Sequence, residues 1–335
     1  MNVNFDLTTI WALIIAFAVF MYVVMDGFDL GIGILFPTLT EGHGRNRAMN
    51  SIAPVWDGNE TWLVMGGGGL MAAFPLAYAV ILPATYPLII AMLLGLIFRG
   101  VSFEFRHRDD RHRAFWDLGF FGGSLTAALA QGMVLGAILQ GIVVEDRHYA
   151  GSWWDWLTPY TLLTGLGVVA GYTLLGACWL IWRTQDDLQD RAYRIAGRAG
   201  IATLLLMGAV SAYNLALLPQ YRHRWLDMPN ILFASQVPLL TAFIAGLFFH
   251  ALRKRWERAP FVLALALFLL GMAGLGVTIW PYVVPGELTI WDAASPESSQ
   301  MFMLVGAVIT IPLILGYTAW SYWVFRGKVG DEGYH

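Results

Sequence analysis

The segment TTIWALIIAFAVFMYVVMDGFDLGIGILF, residues 8–36, is mostly apolar and is longer than one bilayer crossing requires. Because a transmembrane helix needs about 20 apolar residues, this segment predicts a first spanning helix that tilts or extends into the cytoplasm. Residues 1–6 contain no Lys or Arg, and the apolar run continues into Met25-Asp26-Gly27 instead of a small-residue cleavage site. We therefore expect a retained helix and not a cleaved secretory signal.

The composition of the whole chain agrees with this first helix. Of the 335 residues, 58% are hydrophobic and 13% are charged, whereas ordinary soluble domains are about 25% charged. This composition predicts an all-α integral membrane protein with nine transmembrane helices in a single domain, residues 1–335. The second and third helices are expected to form a tight antiparallel pair joined by a short loop near Leu82-Pro83. The nine predicted spans are 8–36, 52–78, 80–98, 117–141, 160–182, 196–217, 230–251, 260–282 and 301–325.

The positive charges predict how these helices are oriented. Seventeen of the 20 Lys and Arg residues fall in alternate connections or in the C-terminal tail, and only Arg147, Arg222 and Arg224 fall on the opposite side. The positive-inside rule then places the N-terminus in the periplasm and the C-terminus in the cytoplasm. The charged linker 183–199 has helix-favouring residues and is interpreted as a cytoplasmic extension of a helix.

The candidate functional groups lie in the predicted cytoplasmic half. Asp26 and Asp29 are three residues apart and share one face of the first helix. An acid inside a membrane helix costs about 2.5–3.5 kcal/mol on insertion scales, so such acids are usually interior and functional. The other candidates are Asp57 and Glu60 at the start of the second helix, Arg99 at the end of the third and Asp117 at the start of the fourth.

Two interpretations of these groups are open from the residues alone, with equal weight. In one, the acids and Arg99 form a proton-uptake path, because buried carboxyls next to polar groups and water can pass protons. In the other, they form a structural network in which Asp57 caps a helix and Arg99 pairs with Asp29 or Asp117.

Other kinds of site have little support in the sequence. The seven His residues fall in loops, at helix ends or at a terminus, so none is placed to ligate a haem between helices. The single Cys178 cannot form an internal disulfide, no metal-ligating pattern occurs, and the net charge of −3 implies no nucleic-acid partner. Gly27 and Gly31 have the four-residue spacing of close helix packing, and the glycine run 66–69 is interpreted in the same way.

Five segments carry distinctive motifs and follow one another along the whole chain. They are DGFDLG at 26–31, NSIAPVWDGNETW at 50–62, Phe98-Arg99-Gly100, Trp116-Asp117 and YTAWSYW at 317–323. Together they resemble subunit II of the cytochrome bd quinol oxidases, and the first two motifs are specific for that family.

The resemblance implies a haem-free subunit of a terminal oxidase in the bacterial inner membrane. Such an enzyme oxidises quinol, reduces dioxygen to water and generates a proton-motive force. The expected main partner is subunit I, which carries haem b and haem d and the quinol-oxidising loop. Membrane lipid, quinone and a small accessory subunit are further expected partners, and some members hold a structural quinone in subunit II. The short connection at 218–229 resembles the cyanide-insensitive branch.

The resemblance also implies roles for the candidate residues. In the family, the acid that matches Asp57 lies on a proton route from the cytoplasm to the oxygen site. Asp26, Asp29, Arg99 and Asp117 match the further polar groups, and this favours proton conduction over a structural network.

Two other functional classes are compatible with buried acids. A proton-coupled secondary transporter also buries them, but such proteins often have inverted repeats and broken helices at the midplane, whereas the acids here cluster at one side. A purely structural membrane anchor would use the same groups as ion pairs only. Copurified haem and a larger partner chain would exclude the transporter, and a carboxylate-to-amide change would test the anchor.

Overall fold

Helix α1, Leu7–Leu35, begins immediately after Asp6, whose Oδ1 accepts a hydrogen bond from the backbone N–H of Thr9 at 2.8 Å. An acidic N-cap satisfies one of the free N–H groups at a helix start, so the helix begins here. The computed structural model describes residues 6–330. The α-helices that follow are α2 His43–Asn50, α3 Trp56–Ala73, α4 Pro75–Phe105, α5 Arg113–Leu139, α6 Pro159–Arg183, α7 Asp186–Leu217, α8 Pro219–Leu226, α9 Asn230–Ala234, α10 Gln236–Arg253, α11 Ala259–Ile279 and α12 Glu297–Val324.

Helices account for most of the described chain, and two short antiparallel hairpins complete it. Strand β1, Val144–Glu145, pairs with β2, His148–Tyr149. Strand β3, Tyr282–Val284, pairs with β4, Leu288–Thr289. One-turn 3₁₀ helices occur at Phe36–Thr38 and Asp110–His112.

Eight helical segments within residues 6–330 are long and apolar enough to cross a membrane. This finding confirms the prediction of an all-α integral membrane protein. The predicted span 52–78 corresponds to α3, which has 18 residues and a polar first turn containing Asp57, Asn59 and Glu60. The crossing by α3, and with it the number nine, stays a prediction.

The prediction of a loop near Leu82-Pro83 is wrong. The chain turns at Phe74, and α4 runs without interruption from Pro75 to Phe105 with Pro83 and Pro87 inside it. Pro75 occupies the first helical position, where its missing N–H costs nothing. Internal prolines are tolerated in membrane helices because neighbouring helices and local adjustments satisfy the freed backbone groups.

The prediction that the linker 183–199 extends a helix is confirmed, whereas its cytoplasmic location stays a prediction. Helix α7 begins at Asp186 and continues through the linker into the apolar segment without a break. Asp186 and Asp187 stand in its first turn, where negative charge is favoured by the positive end of the helix dipole.

Helix α1 lies at the centre of the packing and contacts α3, α5 and α6. At Gly31 the two backbones of α1 and α6 meet, because an added Cβ would overlap the carbonyl of Tyr172 and lie 2.9 Å from the amide nitrogen of Gly176. The small-residue spacing therefore marks a close helix contact, as predicted. In the glycine run 66–69, an added Cβ at Gly67 or Gly68 would have no neighbour within 4 Å. The prediction of close packing is therefore wrong for these two positions.

One end of the bundle carries the N-terminal end of α1 and the β3–β4 hairpin. The indole N–H of Trp291, just after the hairpin, donates to Oδ2 of Asp6 at 2.7 Å. The carboxyl end of α1 lies at the other end of the bundle. The candidate acids lie at that same end.

Candidate functional site

The site is built on α1, where Asp26 and Asp29 have 0% of their surface exposed. Their three-residue spacing places them on one face of the helix, as predicted. That face meets α3 and α4, which supply the partners of both carboxylates. The structure therefore brings together Asp26, Asp29, Glu60 and Arg99, which are called the acid cluster below.

Arg99 is the single cation of the acid cluster. Its Nη1 donates to Oδ1 of Asp26 at 2.6 Å, and only 1% of the Arg99 side chain is exposed. The prediction that Arg99 pairs with Asp29 or Asp117 is wrong, because Arg99 forms its hydrogen-bonded ion pair with Asp26. Arg99 does not end its helix either, since α4 continues to Phe105. The guanidinium also lies 5.7 Å from the ring centroid of Trp56, a cation–π distance.

Asp29 is held by an amide and not by the arginine. Nδ2 of Asn59 donates to Oδ2 of Asp29 at 2.7 Å, and the hydroxyl of Tyr322 on α12 donates to Oδ1 of Asn59 at 3.0 Å. Asn59 is buried, with 1% of its surface exposed. Sequence reasoning missed both residues, although each lies inside a quoted motif. The signal available was a polar side chain between Asp57 and Glu60 in an otherwise apolar helix.

Glu60 connects the buried acids to the surface of the chain. Its Oε1 lies 3.5 Å from Nη2 of Arg99, and 31% of its side chain is exposed. Asp57 precedes it by one helical turn and is exposed. Asp57 and Glu60 are three residues apart and share one face of α3. Burial increases from Asp57 through Glu60 to Asp26 on α1.

The structural interpretation of Asp57 as a helix cap is wrong. The N-cap position of α3 is Val55, no side chain caps this helix, and Asp57 is its second residue. Within residues 6–330 the Asp57 carboxylate forms no hydrogen bond or ion pair. Its remaining structural role is a favourable charge near the positive end of the helix dipole.

Asp117 belongs to a second cluster. Its carboxylate accepts hydrogen bonds from Nη1 of Arg45 at 2.7 Å and from Nε of Arg106. Nη1 of Arg106 also donates to Oδ1 of Asn46 at 2.7 Å. These contacts tie α2 and the end of α4 to α5, so the structure does not join Asp117 to the acid cluster. Arg45, Arg106 and Asn46 were not singled out from the sequence.

Several polar atoms of the acid cluster have no hydrogen-bond partner among the described residues. They are Oδ2 of Asp26, Oδ1 of Asp29, Oε1 of Glu60 and Nη2 of Arg99. Leaving a buried polar group unsatisfied costs about 1–3 kcal/mol, so such atoms usually indicate hydration or an exchangeable proton. Three carboxyls against one guanidinium also make it costly for all three to be charged at once. The arrangement is therefore suited to holding and passing a proton.

A further polar chain lies deeper in the bundle, one turn along α1 from Asp26. Nε2 of Gln131 donates to the hydroxyl oxygen of Tyr22 at 2.7 Å, and the hydroxyl of Tyr172 donates to Oε1 of Gln131 at 2.7 Å. Tyr22 and Tyr172 are buried. Sequence reasoning missed this chain because its members come from α1, α5 and α6.

The histidines of the described residues lie outside the middle of the long helices. Six of the seven histidines lie in residues 6–330, each at a helix end or in a connection, and His335 lies outside that range. No group of three His, Cys, Asp or Glu side chains in the same range could hold a metal ion. Cys178, the single cysteine, is buried.

Comparisons with known proteins agree with the motifs. The family model for cytochrome bd terminal oxidase subunit II matches residues 7–325. Cytochrome bd-I ubiquinol oxidase subunit 2 of Escherichia coli strain K12 is 32% identical over 367 residues, covering 96% of this chain and 95% of that protein. Cytochrome bd ubiquinol oxidase subunit 2 of Bacillus subtilis strain 168 is 29% identical over 340 residues, covering 98% of each.

The fold is also that of a solved structure. A chain of the bd oxidase from Geobacillus thermodenitrificans superposes with a TM-score of 0.78 at 18% identity, covering 96% of this chain and 99% of that chain. The resemblance drawn from the motifs is confirmed, and this chain belongs to the cytochrome bd terminal oxidase subunit II family.

Proposed function

We propose that the acid cluster takes up protons from the cytoplasm and passes them toward the oxygen-reducing site of a partner subunit. As a member of its family, the chain is a subunit of a terminal quinol oxidase of the bacterial inner membrane, and this oxidase is an oxidoreductase. The proposal concerns the proton role of this chain's own residues.

The observation that carries the proposal is the stepwise burial of the acids. Asp57 is exposed, Glu60 is 31% exposed and lies next to Arg99, and Asp26 and Asp29 are fully buried. A proton arriving at Asp57 can move one helical turn to Glu60 and from there to the cluster around Arg99. Oδ1 of Asp29 and Oε1 of Glu60, which have no hydrogen-bond partner among the described residues, are the acceptors for this movement.

Arg99 offsets part of the negative charge of the three carboxylates in the acid cluster. Its ion pair with Asp26 leaves Asp29 and Glu60 as the acids able to gain and lose a proton. Asn59 orients Asp29 through a hydrogen bond, and Tyr322 fixes the amide of Asn59. Asp26 and Asn59 are thus positioning residues, and Asp57, Glu60 and Asp29 carry the proton.

The direction of uptake follows from the proposed topology. We place the N-terminus in the periplasm and the C-terminus in the cytoplasm, with α3 as the ninth crossing. Seventeen of 20 basic residues on one side support this orientation. Arg45 and Arg106 of the second cluster are among these seventeen residues.

Haem is assigned to the partner and not to this chain. We place haem b and haem d, together with quinol oxidation, on subunit I in a heterodimer, with a small accessory subunit as a further partner. The positions of the six described histidines support this assignment. Electron transfer to dioxygen in the partner then consumes the protons that this chain delivers.

The proposal is tested by Asp57→Asn in the copurified complex. The matched control is Asp187→Asn, because Asp187 is also exposed and is also the second residue of its helix. We expect Asp57→Asn to lower oxygen consumption by about 10²-fold, a typical loss for a removed proton-transfer group. Haem content and the amount of assembled complex should equal those of the control.

Equal turnover of the two variants would reject a proton role for Asp57 and favour the structural-anchor alternative. Complex that copurifies without haem and without a larger partner chain would favour the transporter alternative.

A further inference from the structure

A groove of about 360 Å³ lies between α7 and α10, well away from the acid cluster in sequence. Three arginines line its charged end, namely Arg194, Arg198 and Arg253. Phe249 and Ile201 line its apolar end. A groove with a basic end and an apolar end is suited to binding an amphipathic anion.

The three arginines are exposed, and they form no ion pair within residues 6–330. Arg194 and Arg198 are four residues apart on α7, so they share a face and repel each other. The acids nearby are already engaged, since Asp190 pairs with Arg255 and Glu257 pairs with Lys328. The positive charge at the groove is therefore not balanced by these neighbours.

The floor of the groove is open between the two arginines of α7. Gly197 lies there, and an added Cβ at Gly197 would have no neighbour within 4 Å. A headgroup can therefore approach the helix backbone closely while both guanidinium groups reach it from either side. Guanidinium groups match the geometry of phosphate oxygens and bind them with paired hydrogen bonds.

The same face of α7 becomes apolar toward the membrane interior. Ile201 and Leu205 follow Arg194 and Arg198 at helical spacing, and they are 54% and 69% exposed. This track extends about 10 Å beyond Arg198, at 1.5 Å per helical residue. A soluble phosphate would make no contact with these apolar side chains, whereas an acyl chain would cover them.

We propose that this groove binds an anionic phospholipid, with the phosphate diester between the arginines and one acyl chain along Ile201 and Leu205. The inference goes beyond proton uptake and depends on neither the oxidase reaction nor the acid cluster. The bound phospholipid belongs to the leaflet at the basic end of the bundle. A zwitterionic lipid is disfavoured because its ammonium group would face unpaired arginines.

The test measures phosphatidylglycerol retained by the delipidated whole complex after titration in detergent, read by native mass spectrometry. The variant is Arg194→Gln/Arg198→Gln, and the control is Arg108→Gln/Arg111→Gln, which removes the same charge from exposed arginines elsewhere. We expect the variant to bind phosphatidylglycerol about 30-fold more weakly than the control. Phosphatidylcholine should bind both equally and weakly.

A second variant covers the case in which the double change prevents assembly. Gly197→Leu keeps all three arginines and fills the open floor of the groove, and it is expected to lower phosphatidylglycerol retention as well. Equal retention in Gly197→Leu and wild type, or in the double variant and its control, overturns the proposal. So does equal competition by soluble glycerol phosphate, which would indicate a site for a free phosphate.

Discussion

Arg99 and Asp26 form a fully buried ion pair that joins α4 to α1, with 2.6 Å between Nη1 and Oδ1. Removing one partner of such a pair leaves an uncompensated charge, which costs about 3–5 kcal/mol. We therefore expect Arg99→Leu to reduce the fraction of complex that survives heating far more than Arg99→Lys does. If Arg99→Leu is as heat-resistant as the wild type, the pair does not hold these helices together.

We expect Asp29→Asn to lose turnover and Asp26→Asn to lose stability. In Asp29→Asn the new carbonyl oxygen can still accept the hydrogen bond from Asn59, so assembly and haem content should be unchanged. Turnover should fall by about 10²-fold because the exchangeable proton is gone. Asp26→Asn should instead lower stability, because Arg99 loses its charged partner. Oxygen consumption and heat survival, measured on both variants, separate the two roles, and a reversed pattern would contradict them.

The contact between α1 and α6 at Gly31 should be intolerant of any side chain. An added Cβ would overlap the Tyr172 carbonyl, so Gly31→Ala must push the helices apart. Overpacking of this kind costs about 1–3 kcal/mol. Gly68→Ala is the matched control, since that position is open and Ala favours the helix. Comparable yields of assembled complex from both variants would show that α1 and α6 are not in close contact.

The C-terminal segment should be held less firmly at acid pH. Hydrogen bonds from Lys328 and Gln189 hold the pKa of Glu257 below its ordinary value, and Lys328 also donates to the carbonyl of Thr184 at 2.9 Å. A lowered folded-state pKa means that the contact contributes stability above the ordinary value of 4.5. That stability is lost as the pH falls through the folded value.

The measurement is the mobility of a spin label attached at Val329. We expect mobility to be low at neutral pH and to rise as the pH falls below about 4.5. Glu257→Gln should show the mobility of the acid form at every pH, because the amide cannot form the ion pair. A wild-type label whose mobility does not change with pH would rule out this anchoring of the segment by Glu257.

Much of the fold could be predicted because lipid imposes simple rules. Long apolar segments predict spanning helices, and the position of Gly31 in a small-residue motif predicts a close contact. The turn at Phe74 was missed because Pro75 and Pro83 look alike in sequence. Only the packed structure shows that the first begins a helix and the second lies within one.

The candidate site could be predicted as a set of residues but not as a set of contacts. Helical spacing shows that Asp26 and Asp29 share a face, but it does not show which neighbouring helix lies against that face. For that reason Arg99 was given the wrong partner. Tyr322 was missed because it reaches Asn59 across 263 residues of sequence.

The central claim is that protons enter through Glu60, which stands between the exposed Asp57 and the buried acids. The most direct measurement is the rate of proton uptake during oxygen reduction, followed with a pH-indicator dye on the assembled complex. Glu60→Gln should slow uptake by about 10²-fold, whereas Glu104→Gln, an exposed acid on α4, should leave it unchanged. An uptake rate in Glu60→Gln equal to that of the wild type, at full haem content, would contradict the account.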